Sequence, residues 1–197
     1  MTALASVVLA STSRYRRELL ARLVPEFRIV APEVDETPRA GETPATLASR
    51  LAEAKARAVA ARYPNALVIG SDQVAELYGR AIGKPGTRDA AIAQLTASSG
   101  RTVFFHTAIC VADTRASPPR LHAAADRTAV VFRRLAADEI ARYVDHENPL
   151  DAAGSFKSEG AGIALFERIE TIDPTALVGL PLIALARLLR AAGFTLP

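Results

Sequence analysis

Five short apolar runs alternate with five stretches of helical periodicity along this 197-residue chain, and no other feature restricts the fold as strongly. The runs at 7–10, 27–31, 66–70, 103–112 and 129–132 read as strands, and the stretches at 14–24, 45–62, 87–97, 136–145 and 181–192 space their apolar residues as one-sided helices do. Such alternation predicts an α/β sheet with helices on its faces and a ligand crevice beyond the carboxyl ends of the strands. The segment from Gln73 to Gly83 alternates apolar and polar residues around Tyr78-Gly79-Arg80 and predicts a hairpin. A second hairpin joins 103–113 to 121–132 across the polar stretch Thr114 to Arg120. Pro181 in the first turn and Gly193 beyond the end bracket the last helix.

Neither a repeat nor a linker divides the chain, and its length suits one domain over 1–197 that folds without staples. Cys110, the one cysteine, lies in the apolar run Ala108-Ile109-Cys110-Val111, where a buried packing role in a reducing compartment is expected. No apolar stretch approaches the roughly 18 residues of a membrane span, so a cytoplasmic location with no membrane partner is expected. The formal net charge is +3, and acidic residues are interspersed with the basic ones. Without a Lys/Arg tract or aromatic–basic interleaving, nucleic-acid binding is a weak reading and no stable nucleic-acid complex is expected; an anionic small molecule fits the charge equally well.

Three hydroxyl residues, Ser11-Thr12-Ser13, follow the first strand and lead into Arg14-Tyr15-Arg16-Arg17. Unpaired N–H groups at a helix start, with guanidinium groups one turn on, can seat a polyphosphate; the same residues also serve as an ordinary cap on a basic helix. Asp72, after Ala66-Leu67-Val68-Ile69-Gly70-Ser71, is placed at a strand end, where a carboxylate is held firmly enough to act as a general base or metal ligand, or simply to form a turn. Asp35-Glu36, on a loop bracketed by Pro32 and Pro38, adds hard oxygen ligands of the kind Mg²⁺ or Mn²⁺ takes when bridging phosphates. Lys55 and Lys84, each read alone, are surface lysines. The glycine-punctuated loop Gly154 to Gly162 carries Glu159, a carboxylate able to accept paired N–H donors from a guanine edge, while Tyr15 offers a ring for stacking. His106, His122 and His146 share no metal-ligand spacing.

In order, Ala10-Ser11-Thr12-Ser13 with Arg16, Val34-Asp35-Glu36-Thr37, Lys55, Gly70-Ser71-Asp72-Gln73, Gly83-Lys84-Pro85, Ala153-Gly154-Ser155 and Val178-Gly179-Leu180-Pro181 resemble the Maf family of nucleotide pyrophosphatases. The match spans nearly the whole chain. Ser71-Asp72-Gln73 and Phe156-Lys157-Ser158-Glu159-Gly160 look like the branch that acts on 7-methyl-GTP rather than the branch that favours dTTP and UTP. Two positions depart from the family pattern: Arg14 where proline is usual, and Ala54 where a glutamate precedes the helix lysine.

The resemblance implies a mixed, twisted α/β sheet with flanking helices and a cleft between two lobes, akin to the inosine triphosphatases. It implies hydrolysis of the α–β phosphate bond of a modified nucleotide, with Asp72 as base and Glu36 with Asp72 holding a divalent cation, Mg²⁺ or Mn²⁺. Ser13, Arg16, Lys55 and Lys84 would bind the triphosphate, and Tyr15, Gln73 and Glu159 would set specificity. A homodimer is the further partner it implies. Two rival functions use the same pocket: a non-catalytic nucleotide sensor that regulates cell division, and a binder of methylguanine-capped RNA ends. The second would need a basic track leading away from the pocket, which the scattered charges do not provide.

Overall fold

The computed structural model describes residues 6–196, so the outermost residues of the single-domain reading 1–197 lie outside the described part. In chain order the elements are β1 (Ser6–Ala10), α1 (Arg14–Leu20), β2 (Arg28–Val30), α2 (Pro44–Ala60), β3 (Ala66–Leu77), β4 (Arg80–Ile82), α3 (Arg88–Ser98), β5 (Thr102–Asp113), β6 (Arg120–Phe132), α4 (Ala137–Glu147), β7 (Phe166–Glu170) and α5 (Leu182–Ala191). Short 3₁₀ turns occupy Ala153–Ser155 and Ala161–Leu165. Local chemistry starts the first three helices: Ser13, Thr43 and Thr87 each accept a hydrogen bond from the backbone N–H three residues on, and Pro44 follows Thr43 where its missing N–H costs nothing. No helix among the described residues is long and apolar enough to cross a membrane.

The strands form one mixed sheet in the order β2-β1-β3-β5-β6-β7, with β4 also paired to β3. β1 pairs in parallel with β2 and β3, while every other pairing is antiparallel. β3 is the spine. Along one edge it pairs with β5 from Leu67 to Glu76. Along the other it meets β1 at residues 66–70 and β4 at residues 75–77, so Ser71 to Val74 have no strand beside them on that edge.

The core divides on either side of that gap. One half packs α1 and α5 against the first part of β3 through Leu9, Leu20, Leu67, Ile69, Leu180 and Leu185. The other packs α3, α4 and β7 against the second part through Leu95, Phe105, Phe132, Ile140, Phe156 and Phe166. Phe156 stands at the centre of the second half, edge-on to Phe105, Phe132 and Phe166 at 4.8–5.6 Å between ring centres. α2 covers the opposite face of β3.

Several expected boundaries shift. α1 ends at Leu20 rather than 24, because bonds tighten to Arg22 N–Leu19 O and Leu23 N–Leu20 O and Pro25 disfavours helix at Val24. Pro181 caps α5 from outside rather than lying in its first turn. β7 was not expected: Phe166-Glu167-Arg168-Ile169-Glu170 is mostly charged, as suits an edge strand, and so shows no apolar run. Asp72 does not end its strand but lies inside the twelve-residue β3, which continues past the polar triplet 71–73 because β5 pairs with it throughout.

Candidate active site

β1 and β4 run toward the gap in the β3 edge from opposite directions, so the chain leaving each strand turns outward beside Asp72. Ser11-Thr12-Ser13 follow β1, and Gly83-Lys84 follow β4. A cleft of about 940 Å³ opens there. It wraps around a free strand edge and therefore receives side chains from both faces of the sheet. Asp72 points toward α2, whereas Ser71 and Gln73 point toward the turn at 176–179.

The α2 side is built by one close approach. A Cβ on Gly70 would lie 2.2 Å from the Ala52 carbonyl oxygen and 2.6 Å from the Ala56 nitrogen, so only glycine lets the helix settle onto β3. That contact brings Lys55 down to Asp72. The Lys55 Nζ donates to Asp72 Oδ1 at 2.7 Å and lies 2.6 Å from Glu36 Oε1. The Lys55 and Asp72 side chains are 7% and 10% exposed, while Glu36 is 60% exposed on its loop. Lys55 is therefore no surface lysine, contrary to its reading in isolation.

Burial pushes the Asp72 carboxyl above the usual carboxylate range, against the opposing pull of Lys55 and Arg16. Its Oδ2 makes no hydrogen bond, and since no buried side-chain polar atom among the described residues lacks a partner, Oδ2 is open to the cleft. A carboxylate held by one oxygen and free at the other can take a proton from water.

Arg16 reaches in from α1. Its Nε donates to the Gly179 carbonyl at 2.9 Å, and Ser71 Oγ donates to the same oxygen at 3.0 Å. Arg16 Nη1 also lies 3.5 Å from Ser11 Oγ. Burial lowers the Arg16 pKa, and the Asp72 and Glu36 charges oppose that shift. Gly179 itself adopts φ +117°, a conformation that side-chain-bearing residues avoid, and so aims its carbonyl at both donors. The sequence motif 178–181 marked this segment without indicating that it braces an arginine 163 residues away.

The remaining expected residues line the same cleft, Gln73 firmly held and the others with looser support. Gln73 Nε2 donates to Thr107 Oγ1 and to the carbonyls of Ala176 and Leu177, at 2.9–3.0 Å, so its amide nitrogen is fully engaged by protein. Tyr15 carries the Arg14 guanidinium 4.6 Å above its ring, and Arg14 Nη2 donates to the phenol oxygen at 2.6 Å. A base stacked on Tyr15 must use the other ring face. Ser13 Oγ accepts the Arg16 N–H in capping α1, which leaves its O–H to donate. Lys84 and Glu159 are both exposed. All nine residues singled out by sequence thus meet in one cleft. Lys157, which sequence did not single out, also lines it, with Nζ donating to the Glu147 and Asn148 carbonyls at the end of α4.

Among the described residues no group of three or more His, Cys, Asp and Glu side chains can enclose a metal. Glu36 and Asp72 form a pair, both bonded to the Lys55 ammonium. Two carboxylates fit a divalent cation that takes its other oxygens from phosphates and water, and do not fit an all-protein cage.

The comparisons with known proteins cover almost all of this framework. A 7-methyl-GTP pyrophosphatase of Xanthomonas oryzae pv. oryzae (strain MAFF 311018) is 63% identical over 191 residues, 97% of this chain and 98% of its own length. Proteins of the same description from Aromatoleum aromaticum and Burkholderia thailandensis are 58% and 56% identical, over 97% and 99% of this chain and 97% and 91% of their own. Among solved structures, the Staphylococcus aureus Ham1 protein aligns with a TM-score of 0.47 and 19% identity, covering 78% of this chain and 88% of that one. The family model described as Maf-like protein matches residues 6–192, from the first residue of β1 past the end of α5, and the chain belongs to the Maf family.

Proposed function

We propose that this protein hydrolyses 7-methyl-GTP to 7-methyl-GMP and diphosphate, removing a modified nucleotide from the cytoplasm. The observation that carries the reading is Asp72: a buried carboxylate with one oxygen tied to Lys55 and the other open, on the floor of a cleft that Arg16, Lys55 and Lys84 also line. Relatives described as 7-methyl-GTP pyrophosphatases, 56–63% identical over nearly the whole chain, supply the choice of substrate.

Arg16, Lys55 and Lys84 neutralise the triphosphate, and Ser13 and the N–H groups at the start of α1 receive one phosphate. Asp72 takes the proton from a water as its oxygen bonds to phosphorus and the anhydride bond to the bridging oxygen breaks, and diphosphate leaves with the bonding pair. Glu36 and Asp72 would hold Mg²⁺ or Mn²⁺ against the phosphates, where the cation offsets negative charge on the phosphate oxygens. Glu159 would accept N1–H and N2–H of the guanine while Tyr15 covers its ring. Methylation at N7 makes the base cationic and strengthens both contacts. Gln73 acts on specificity through shape, because the protein itself engages its amide nitrogen. A homodimer is part of the same proposal.

Release of diphosphate from a panel of ordinary and methylated nucleoside triphosphates, with Mg²⁺ and with Mn²⁺, tests the reading. Highest kcat/KM on 7-methyl-GTP is the expected result. Preference for dTTP or UTP would assign the other branch, and tight binding without turnover on any substrate would make the protein a sensor.

A further inference from the structure

Lys84 and Glu159 are exposed and lie on irregular chain, yet the proposed reaction needs one at the phosphates and the other at the base. One side chain touches the loops that carry both. Gln94, half-buried on α3, donates from Nε2 to the Gly83 carbonyl at 3.2 Å and accepts at Oε1 from Ser155 Oγ at 2.6 Å. Its neighbours Ala91 and Leu95 are fully buried, and Arg88 at the start of the helix pairs with Asp145 of α4 through bonds of 2.6 and 2.9 Å. Gln94 therefore projects from a fixed helix.

The amide can sit only one way round. The Gly83 carbonyl accepts and never donates, so NH₂ must face it, which leaves the amide oxygen for the Ser155 hydroxyl. Ser155 is fully buried at φ +62°, next to Gly154 at φ +76°, and two successive left-handed residues turn the chain sharply just before Phe156 and the Glu159 segment. A backbone bond from Gly86 N to the Leu150 carbonyl at 3.1 Å ties the same two loops together on the far side of Lys84. Neither Lys84 nor Glu159 touches Gln94, and no sequence motif marks it.

We propose that Gln94 is a positioning residue that sets the Lys84 loop and the Glu159 loop in register, so that triphosphate binding and base selection depend on one amide. The inference rests on the nucleotide-hydrolase reading, but its phosphate arm is testable without turnover.

Inorganic triphosphate, which has no base, is the probe for calorimetry on the full chain. Gln94→Leu removes both bonds and is expected to weaken triphosphate binding about threefold to tenfold in the otherwise unaltered protein, but less than twofold in a Lys84→Ala background. Gln94→Glu keeps an acceptor for Ser155 yet cannot donate to Gly83. It should weaken triphosphate binding as much as Gln94→Leu while retaining the kcat/KM preference for 7-methyl-GTP over UTP, which Gln94→Leu should lower about fivefold. Equal losses with and without Lys84, an unchanged affinity in Gln94→Leu, or identical behaviour of Gln94→Glu and the unaltered protein would overturn the proposal. So would failure of the unaltered protein to bind triphosphate. Triphosphate binding that follows the expected pattern in a protein inactive on every nucleotide would instead refute the proposed activity and leave the role of Gln94 at the phosphates standing.

Discussion

The two walls of the cleft hold their charges by different means. On the wall built by α1, α2 and β3, every charge has a fixed partner: Lys55 on Asp72 and Glu36, and Arg16 on the Gly179 carbonyl. The opposite wall, built by the chain after β4 and the loop 153–160, presents Lys84 and Glu159 to solvent and relies on Gln94, the aromatic cluster at Phe156 and the end of α4 for support. The first arrangement places charge before substrate arrives, which lowers the reorganisation needed during the chemical step. The second leaves side chains free to adjust to a base. The proposed reaction assigns chemistry to the first wall and discrimination to the second, and changes to each should produce different kinds of loss.

The largest effect is expected at the chemical wall. Asp72→Asn keeps an acceptor for Lys55 but cannot take a proton, so kcat should fall by roughly 10²- to 10⁴-fold with folding and substrate binding retained. Near-normal kcat in that variant would remove Asp72 as the base and with it the division of labour between the walls.

The two lysines provide the direct contrast. Lys55→Met strands two carboxylates, one of them buried, and should cost about 3 kcal/mol of stability as well as activity. Lys84→Ala should leave stability within about 0.5 kcal/mol and weaken triphosphate binding by about 1.5–3 kcal/mol. Thermal unfolding and binding isotherms on both variants check this, and equal thermal behaviour would erase the distinction.

At the discriminating wall, Glu159→Gln should shrink the preference for 7-methyl-GTP over UTP by about tenfold, since the new NH₂ group meets a guanine donor. Equal loss on both substrates in kcat/KM measurements would move Glu159 from base recognition to support of its own loop.

The smallest effect concerns the loop that carries Glu36. Arg50 on α2 clasps Glu42 through bonds of 2.6 and 2.8 Å and also donates to the Thr37 carbonyl. The Arg50 guanidinium and the Arg39 N–H hold the Glu42 carboxyl down to about 2. Because the folded value lies below the ordinary glutamate value, this stabilisation is complete above the latter and is lost as pH falls from about 4.5 toward 2. Asp72, shifted upward, has the opposite sign and does not contribute to acid unfolding. Acid titration followed by Tm should therefore show a shallower decline in Glu42→Gln than in the unaltered protein. Parallel curves would show that the Arg50 clasp contributes nothing.

What the sequence determined by itself is whatever depends on neighbours a few residues apart. Periods of two and near four identify most strands and helices, hydroxyl residues start three helices, and Tyr78-Gly79 turns β3 into β4, because each signal arises within a single turn or pleat. The ordered motifs held seven of the nine expected cleft residues, and the resemblance added Tyr15 and Glu159 as specificity positions, yet the distances, burial and partners of all nine lay beyond local pattern. Lys55 among alanines reads as a surface residue until Gly70 lets α2 close onto β3 and seals it against Asp72. Asp72 reads as the end of a strand until β5 carries that strand past it. Arg16 is braced by a carbonyl 163 residues away, and Gln94, in an unremarkable helix, touches both adjustable loops. Tertiary structure alone decided these, since contact across long stretches of chain depends on how whole elements pack, and no local pattern encodes which elements will meet.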